Sequence, residues 1–310
     1  MNTVKLKPNV IIICGPTGVG KTTVGIELAK RFNGEIISAD SMQIYRYMDI
    51  GTAKPSKAEQ SAVAHHMIDI INPDEPFDAE MYSKAAREEL NRLHIQDIIP
   101  FVVGGTGFYI KALEHGLFDP GPSDSAIRDR LRKKAEISGT RFLYEQLSQS
   151  DPDTAAIVHP NDTYRIIRAL EVYELTGKGI STYRSQHDFS DNPFRVLKIG
   201  LKMDREILYE RIDKRVDIMI EAGFVDEVRN LLYKGYHADL KSMQSIGYRH
   251  IAGFIKEQIS WDEAIRTMKR DTRRYAKRQF TWFKSDDSVK WLEPGRKEDI
   301  HKIVESFLHV

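Results

Sequence analysis

Gly15-Pro16-Thr17-Gly18-Val19-Gly20-Lys21-Thr22 completes a G-x-x-x-x-G-K-[ST] signature, and the chemistry that pattern serves is the gripping of a diphosphate or triphosphate. Its glycines let the backbone curl until several N–H groups face inward. Lys21 adds a mobile positive charge, and Thr22 offers a hydroxyl to a magnesium ion beside the bound oxygens. A cradled polyphosphate admits attack on phosphorus, as in kinases and ATPases, or attack on carbon with diphosphate departing. An ATPase of this type needs an apolar strand ending in an acid to place magnesium and water, yet the strongest later run, Phe101-Val102-Val103, ends in glycines. Simple ATP hydrolysis is therefore disfavoured. Asp69 would restore it as a magnesium ligand; a turn carboxylate is the competing reading.

Asp40, in Asp40-Ser41-Met42-Gln43, is the leading acid–base candidate, and two readings of it stand open: it accepts a proton, or it caps the turn that follows. Gly104-Gly105-Thr106-Gly107 is likewise either a loop whose Thr106 and backbone donors orient an acceptor, or a tight strand-to-helix connection. Met42, Tyr45 and Tyr47 are core residues or surfaces on which a base stacks. Between Arg266 and Lys284, eight Lys or Arg face a single acid, Asp271. Such a stripe suits a polyanion, and a solvated helix face is its bland alternative. Arg128, Arg165 and Arg168 add guanidinium groups that could grip a folded RNA; the last two lie three residues apart and so neighbour each other on one helix face.

The elements that must hold these groups are legible around them. Val10 to Cys14 is an apolar strand leading into the loop, and Thr23 to Phe32 is a helix with Val24, Ile26, Leu28 and Ala29 available for packing. Glu35 to Ala39 makes a second strand that ends at Asp40. Because βαβ crossovers are right-handed and parallel, both strand ends open onto one edge of the sheet and bring Asp40 toward the phosphates. A short Met67 to Ile71 strand, a helix from Asp78 to His94 and a doubly covered strand from Ile98 to Val103 follow. Asp119 to Ser123 reads as a linker into charged helical segments, in which Asn161 or Asp162 caps a helix stopped by Gly177. Sheet character returns at Arg195 to Met203. Asp204 then caps a long helix that carries Arg211 and Arg215, meets Gly223 and ends at Gly235. Ser260-Trp261-Asp262-Glu263 has capping-box spacing and opens a helix through Phe283. Its basic flank holds Arg266, Lys269, Arg270, Arg273, Arg274 and Lys277, opposite Ile265, Met268, Tyr275, Ala276, Trp282 and Phe283.

The chain has 310 residues, 41% of them hydrophobic, which is ample for a packed core with a smaller second domain. A formal net charge of +1 gives no global pull toward nucleic acid or anionic lipid, so local patches must supply any such binding. The single cysteine, Cys14, falls in the first strand, where a small buried hydrophobe is expected. The amino-terminal apolar run is too short for a signal peptide and no stretch reaches membrane-spanning length, so a cytoplasmic protein is expected. The fold class is α/β, a P-loop NTPase-like parallel sheet core with an inserted helical domain. Residues 1–118 and 192–310 form the core, the latter with the basic helix, and 119–191 form the insertion.

In order along the chain, GPTGVGKT (Gly15 to Thr22), DSMQIY (Asp40 to Tyr45), GGTGFY (Gly104 to Tyr109), RIIRALEV (Arg165 to Val172), SIGYR (Ser245 to Arg249) and AKRQFTW (Ala276 to Trp282) together resemble the bacterial tRNA dimethylallyltransferases. The loop alone is shared with many NTPases; its combination with the second and third segments is specific. The resemblance implies transfer of a dimethylallyl group from dimethylallyl diphosphate to the exocyclic amino group of the adenosine 3′ of the anticodon. Gly15 to Thr22 would then hold the diphosphate of the donor rather than ATP, with Lys21, Thr17 and Arg215 neutralising charge, and Thr22 holding magnesium. Asp40 would accept the proton late, since a carboxylate cannot deprotonate adenine outright. Ser41, Met42 and Gln43 would line a channel for the turned-out base. By the same resemblance Thr106 and Arg128 contact tRNA. The inserted domain, with Arg165 and Arg168, and the basic helix, with Arg273 and Arg274, embrace the anticodon stem-loop. A monomer with no membrane partner is expected. The rivals are a prenyltransferase acting on free adenine nucleotides, a P-loop kinase of a small metabolite and a non-catalytic RNA-binding NTPase module. An RNA grip argues against the first, and the products formed from dimethylallyl diphosphate or ATP separate the others.

Overall fold

The computed structural model describes residues 7–117, 124–187 and 193–309. Two compact units emerge, Met1–Glu114 with Pro193–Val310, and His115–Asn192. The expected linker at Asp119 to Ser123 lies outside the described residues.

The first unit is built on six parallel strands, β1 (Asn9–Cys14), β2 (Gly34–Ser38), β3 (His65–His66), β4 (Ile99–Val103), β5 (Arg195–Leu201) and β6 (Val289–Leu292), in the order β3-β2-β4-β1-β5-β6. Strand β1 is central, pairing Ile11 with Phe101 of β4 on one side and with Leu197 of β5 on the other. Ile11, Ile12 and Ile13 are wholly buried, as strands covered on both faces require, and each contributes about 1.5–3 kcal/mol by leaving water. The helices before the second unit are α1 (Lys21–Arg31), α2 (Lys57–Ala62), α3 (Ala79–Ile95) and α4 (Gly107–His115). The second unit holds α5 (Ser125–Ser138), α6 (Thr140–Ser150), α7 (Pro152–Ala155), α8 (Thr163–Thr176) and α9 (Ile180–His187) around a core of Leu131, Leu143, Leu147, Ile166 and Leu170. The first unit resumes with β5, α10 (Arg205–Glu221), α11 (Phe224–Tyr233), α12 (Tyr248–Ile255), α13 (Trp261–Lys284), β6 and α14 (Lys297–Leu308). Among the described residues no helix is long and apolar enough to cross a membrane.

The α/β architecture follows the periodicity, with four local differences. Strand β2 does not pair with β1: β4 lies between them, so Asp40 and the phosphate loop stand at the ends of strands separated by the one that feeds Gly104. The Met67 to Ile71 strand is instead β3 at His65–His66. Met67 and Asp69 have φ of 61° and 56°, left-handed values that break an extended run, and Ile71 makes only an isolated bridge to Tyr45. The helix after Asp204 divides at Gly223 (φ 94°) into α10 and α11. At the start of α13, Ser260 accepts the Glu263 N–H, but the Glu263 carboxylate turns to Arg266, leaving half of the expected capping box. Asp78 and Asp204 cap as their positions suggest, and Asp162, rather than Asn161, caps α8.

Candidate active site

The loop leaves the carboxyl end of β1 and feeds α1, so the first amides of the helix point at its concavity, the arrangement in which backbone dipoles favour an anion. Gly15 adopts φ 136°, and a Cβ there would lie 2.5 Å from the Leu201 carbonyl oxygen, so a side chain is excluded by the β5 backbone itself. Val19 is buried in the core and anchors the loop from beneath. Lys21 Nζ donates to the Pro16 carbonyl at 2.8 Å, across the concavity. Burial pushes the Lys21 ammonium down to about 8, with Asp40 acting upward and Arg215 downward. Its ligand-binding charge is therefore present below that pH and lost above it. Titration calorimetry with inorganic diphosphate should show binding weakening as pH rises through about 8, and Lys21→Arg, which stays protonated, should remove that difference. Equal pH profiles for the two proteins would contradict this assignment.

Thr17, Asp40, Ser41, Met42 and Arg215 line one cavity of about 310 Å³, with Gly51 to Ala53, Gln244 to Ile246, Tyr248, Arg249, Tyr275 and Arg278. Arg215, from α10, places Nη1 3.4 Å from the Thr17 hydroxyl; burial lowers its pKa while Asp40 opposes that. Asp40 Oδ1 accepts the Met42 N–H at 2.9 Å. Turn cap and cavity wall are therefore the same residue; the Oδ1 bond fixes the carboxylate, and among the described residues no hydrogen bond to Oδ2 is found. Ile212, Val216, Met219, Ile246 and Met268 form an apolar wall beside these polar groups. A grip for an anion, a carboxylate and a greasy surface thus share one space, as a site that binds a small apolar group through an ionised handle requires.

Other expected site residues sit differently. Gln43 turns into the protein: its Oε1 accepts from Ser38 Oγ at 3.1 Å and its Nε2 donates to the Thr52 and Ala53 carbonyls, which pins the cavity-lining 51–53 segment. Thr106 stands behind the Asp40 turn and accepts the Ser41 N–H at 3.0 Å. Tyr45 is core, whereas Tyr47 is exposed and stacks on Tyr236. Asp69 pairs with Lys54 at 2.6 Å, which makes it a turn carboxylate. Much of the basic stripe on α13 is engaged within the chain: Lys269 with Asp217 at 2.6 Å, Arg273 with Asp213 at 2.5 Å, and Arg270 with Asp271 at 2.9 Å. Arg274 is 66% exposed and lies 3.8 Å from Asp271. Trp282, expected on the apolar flank, is 42% exposed, and the buried side of α13 includes Thr267 and Gln279.

Within the helical unit, Arg128 and Arg168 both reach Glu171 at 2.8 Å, and the Asp124 N–H donates to the same carboxylate. Glu171 is wholly buried; burial opposes its ionisation, but these hydrogen bonds outweigh it and hold the carboxyl below its ordinary range. The two guanidiniums are thereby set in fixed positions on a cavity of about 250 Å³ with Arg132, Thr163, Tyr164 and Ile167. Arg165 points elsewhere, 3.5 Å from Asp162.

Sequence patterns alone give no site role to Tyr248, Arg249 or Gln279, place Tyr275 only on the apolar flank of α13 and include Arg278 only in the basic stripe. Arg249 enters the cavity wall with its guanidinium held by Asp271 at 2.6 Å. Asp271 is held well below the usual carboxylate range by hydrogen bonds from Arg270, Arg249 and His250. Tyr275 has its pKa pushed up to about 12 by burial. The available signal was the one amide, Gln279, on an otherwise apolar or small-residue side of α13.

A family model described as IPP transferase matches residues 43–286. The tRNA dimethylallyltransferase of Desulfosudis oleivorans is 52% identical over 297 residues, covering 96% of this chain and 94% of that protein. The tRNA dimethylallyltransferase 2 of Syntrophus aciditrophicus is 51% identical, covering 97% of each. The crystal structure of a tRNA isopentenylpyrophosphate transferase from Bacillus halodurans superposes with TM-score 0.73 at 40% identity, covering 98% of this chain and 97% of that one. A eukaryotic dimethylallyltransferase in structures of its action on tRNA gives TM-score 0.78 at 31% identity, covering 92% and 73%.

Proposed function

The chain belongs to the IPP transferase family, with the tRNA dimethylallyltransferases, and on that premise we infer that it carries a dimethylallyl group from dimethylallyl diphosphate to the exocyclic amino group of the adenosine immediately 3′ of the anticodon, releasing diphosphate. It is a transferase that acts on tRNA. The observation that carries the residue-level reading is the shared cavity, in which Thr17 and Arg215, the Asp40 carboxylate and the apolar wall of Ile212, Val216, Met219, Ile246 and Met268 meet.

In that reading the diphosphate lies in the Gly15 to Thr22 loop, against Lys21, Arg215 and the Thr17 hydroxyl, where positive charge and donors await the charge that grows as the carbon–oxygen bond breaks. The prenyl carbons rest on the apolar wall. The carbon–oxygen electron pair leaves with the diphosphate, the adenine nitrogen supplies the pair for the new carbon–nitrogen bond, and its proton passes to Asp40 Oδ2. Attack on carbon needs no acid at the end of β4, which accounts for glycines where a water-activating carboxylate would stand in an ATPase.

Magnesium fits as a companion of the substrate. Thr22 lies in the first turn of α1, and among the described residues no group of three His, Cys, Asp or Glu side chains could hold a metal ion, so Thr22 would hold magnesium together with phosphate oxygens and water. When bound there it would add positive charge to the leaving group. Ser41 and Met42 would face the acceptor base, with Gln43 and Thr106 supporting them from behind. Arg128, Arg165 and Arg168 of the helical unit, and Arg274 on α13, would meet the anticodon arm, while Arg273 acts chiefly through Asp213.

Incubating the protein with labelled dimethylallyl diphosphate or labelled ATP, with and without unmodified tRNA, tests the reading. Prenylated adenosine in the nuclease digest, dependent on tRNA and on the prenyl donor, is the expected product; γ-phosphoryl turnover without it would overturn the assignment.

A further inference from the structure

We propose that Gln279 is a positioning residue that keeps the diphosphate loop and the acceptor loop in register, a role that rests on the alkyl-transfer reading above. Its Oε1 accepts the Thr17 N–H at 2.8 Å and its Nε2 donates to the Gly105 carbonyl at 2.8 Å. One side chain thus joins the loop after β1 to the loop after β4. Gly105 is followed by Thr106, whose hydroxyl accepts the Ser41 N–H, and Ser41 follows Asp40. A continuous path of short bonds therefore runs from the residue that touches the departing diphosphate to the turn that carries the proton acceptor.

The fit is tight and specific to a primary amide. Gln279 is buried, and a Cβ at Gly105 would lie 2.2 Å from its Nε2, so the amide occupies the space a side chain at Gly105 would need. A carboxylate could keep the bond from Thr17 but would face the Gly105 carbonyl without a proton to give; an apolar isostere would leave both backbone groups unpaired. The arm that delivers the amide is itself fixed. Arg273 and Lys269 tie α13 to Asp213 and Asp217 of α10, and just beyond its carboxyl end Asp286 receives the buried Lys198 of β5 at 2.6 Å. Helix α10 also carries Arg215, so Thr17 is held through its amide by one helix and through its hydroxyl by the partner helix. The Thr17 N–H is consequently spent on Gln279, and the hydroxyl is the group this residue presents to the cavity.

A strut of this type governs how closely two reactants approach, more than how strongly either binds. Single-turnover prenyl transfer by the full-length protein with saturating unmodified tRNA separates these effects, because the rate constant of the active fraction does not change when some molecules misfold. For Gln279→Met the rate constant should fall about 100-fold, the scale of an ångström-level misplacement, with the Kd of dimethylallyl diphosphate and of tRNA within about threefold of wild type. Gln279→Glu, equal in size and keeping the Thr17 bond, should lose at least about tenfold in the same rate constant. A folded variant of either kind that reacts within about threefold of wild type, or that loses donor affinity with an unchanged rate constant, overturns the proposal. Absence of prenylated tRNA from the wild-type protein would instead overturn the reading on which it rests.

Discussion

Asp40→Asn is expected to slow prenyl transfer between about 10² and 10⁴-fold, the range over which a positioned general base contributes, while tRNA affinity stays within about twofold of wild type. The substitution isolates the chemistry because the amide oxygen of asparagine can still accept the Met42 N–H that fixes the turn. What disappears is the basic oxygen and its charge. A second signature follows from the same geometry: Asp40 raises the pKa of Lys21, so its neutralisation should move the Lys21 titration below about 8 and weaken diphosphate binding at mildly alkaline pH. Single-turnover rates and calorimetry from neutral to alkaline pH check both. A large loss of tRNA binding with a normal rate constant would return Asp40 to the role of a turn cap alone.

Arg215→Met should reduce kcat/KM for dimethylallyl diphosphate by about 10² to 10³-fold, the cost of removing one preorganised donor from a site where charge develops. Arg215 is half-buried on the cavity wall and donates to the Thr17 hydroxyl, so its loss removes a positive charge and also frees Thr17 to rotate. Arg215→Lys restores the charge without the planar fork and should recover only part of the activity, because a single ammonium cannot hold hydroxyl and diphosphate together. Steady-state kinetics with varied donor decide the matter. Activity of Arg215→Met within about threefold of wild type would remove the guanidinium from the leaving-group site.

The order β1, phosphate loop, α1 was legible because a complete signature, an apolar run before it and an amphipathic run after it agree on one local structure. Asp40 and Arg215 were legible as candidates by position and by resemblance, respectively. What could not be read were contacts between segments distant in sequence. Nothing in residues 34–38 shows that β4, sixty residues later, will insert between them and β1. Nothing local to the GGTG segment shows that Gly105 must leave room for an amide from residue 279. The basic stripe illustrates the same limit: its periodicity was plain, but Asp213 and Asp217, which engage Arg273 and Lys269, lie on another helix. At Met67 and Asp69 the difference is conformational, since an apolar-containing run that reads as extended passes through left-handed turns.

Alkyl transfer requires that carbon, and not phosphorus, be the atom attacked. A heavy-oxygen label placed at the oxygen between C1 and the α-phosphorus of dimethylallyl diphosphate tests this directly, since that oxygen departs with the leaving group and away from the atom attacked. All of the label should leave in the diphosphate as prenylated tRNA accumulates. Label found in dimethylallyl alcohol, with the diphosphoryl group carried by the acceptor, would contradict it.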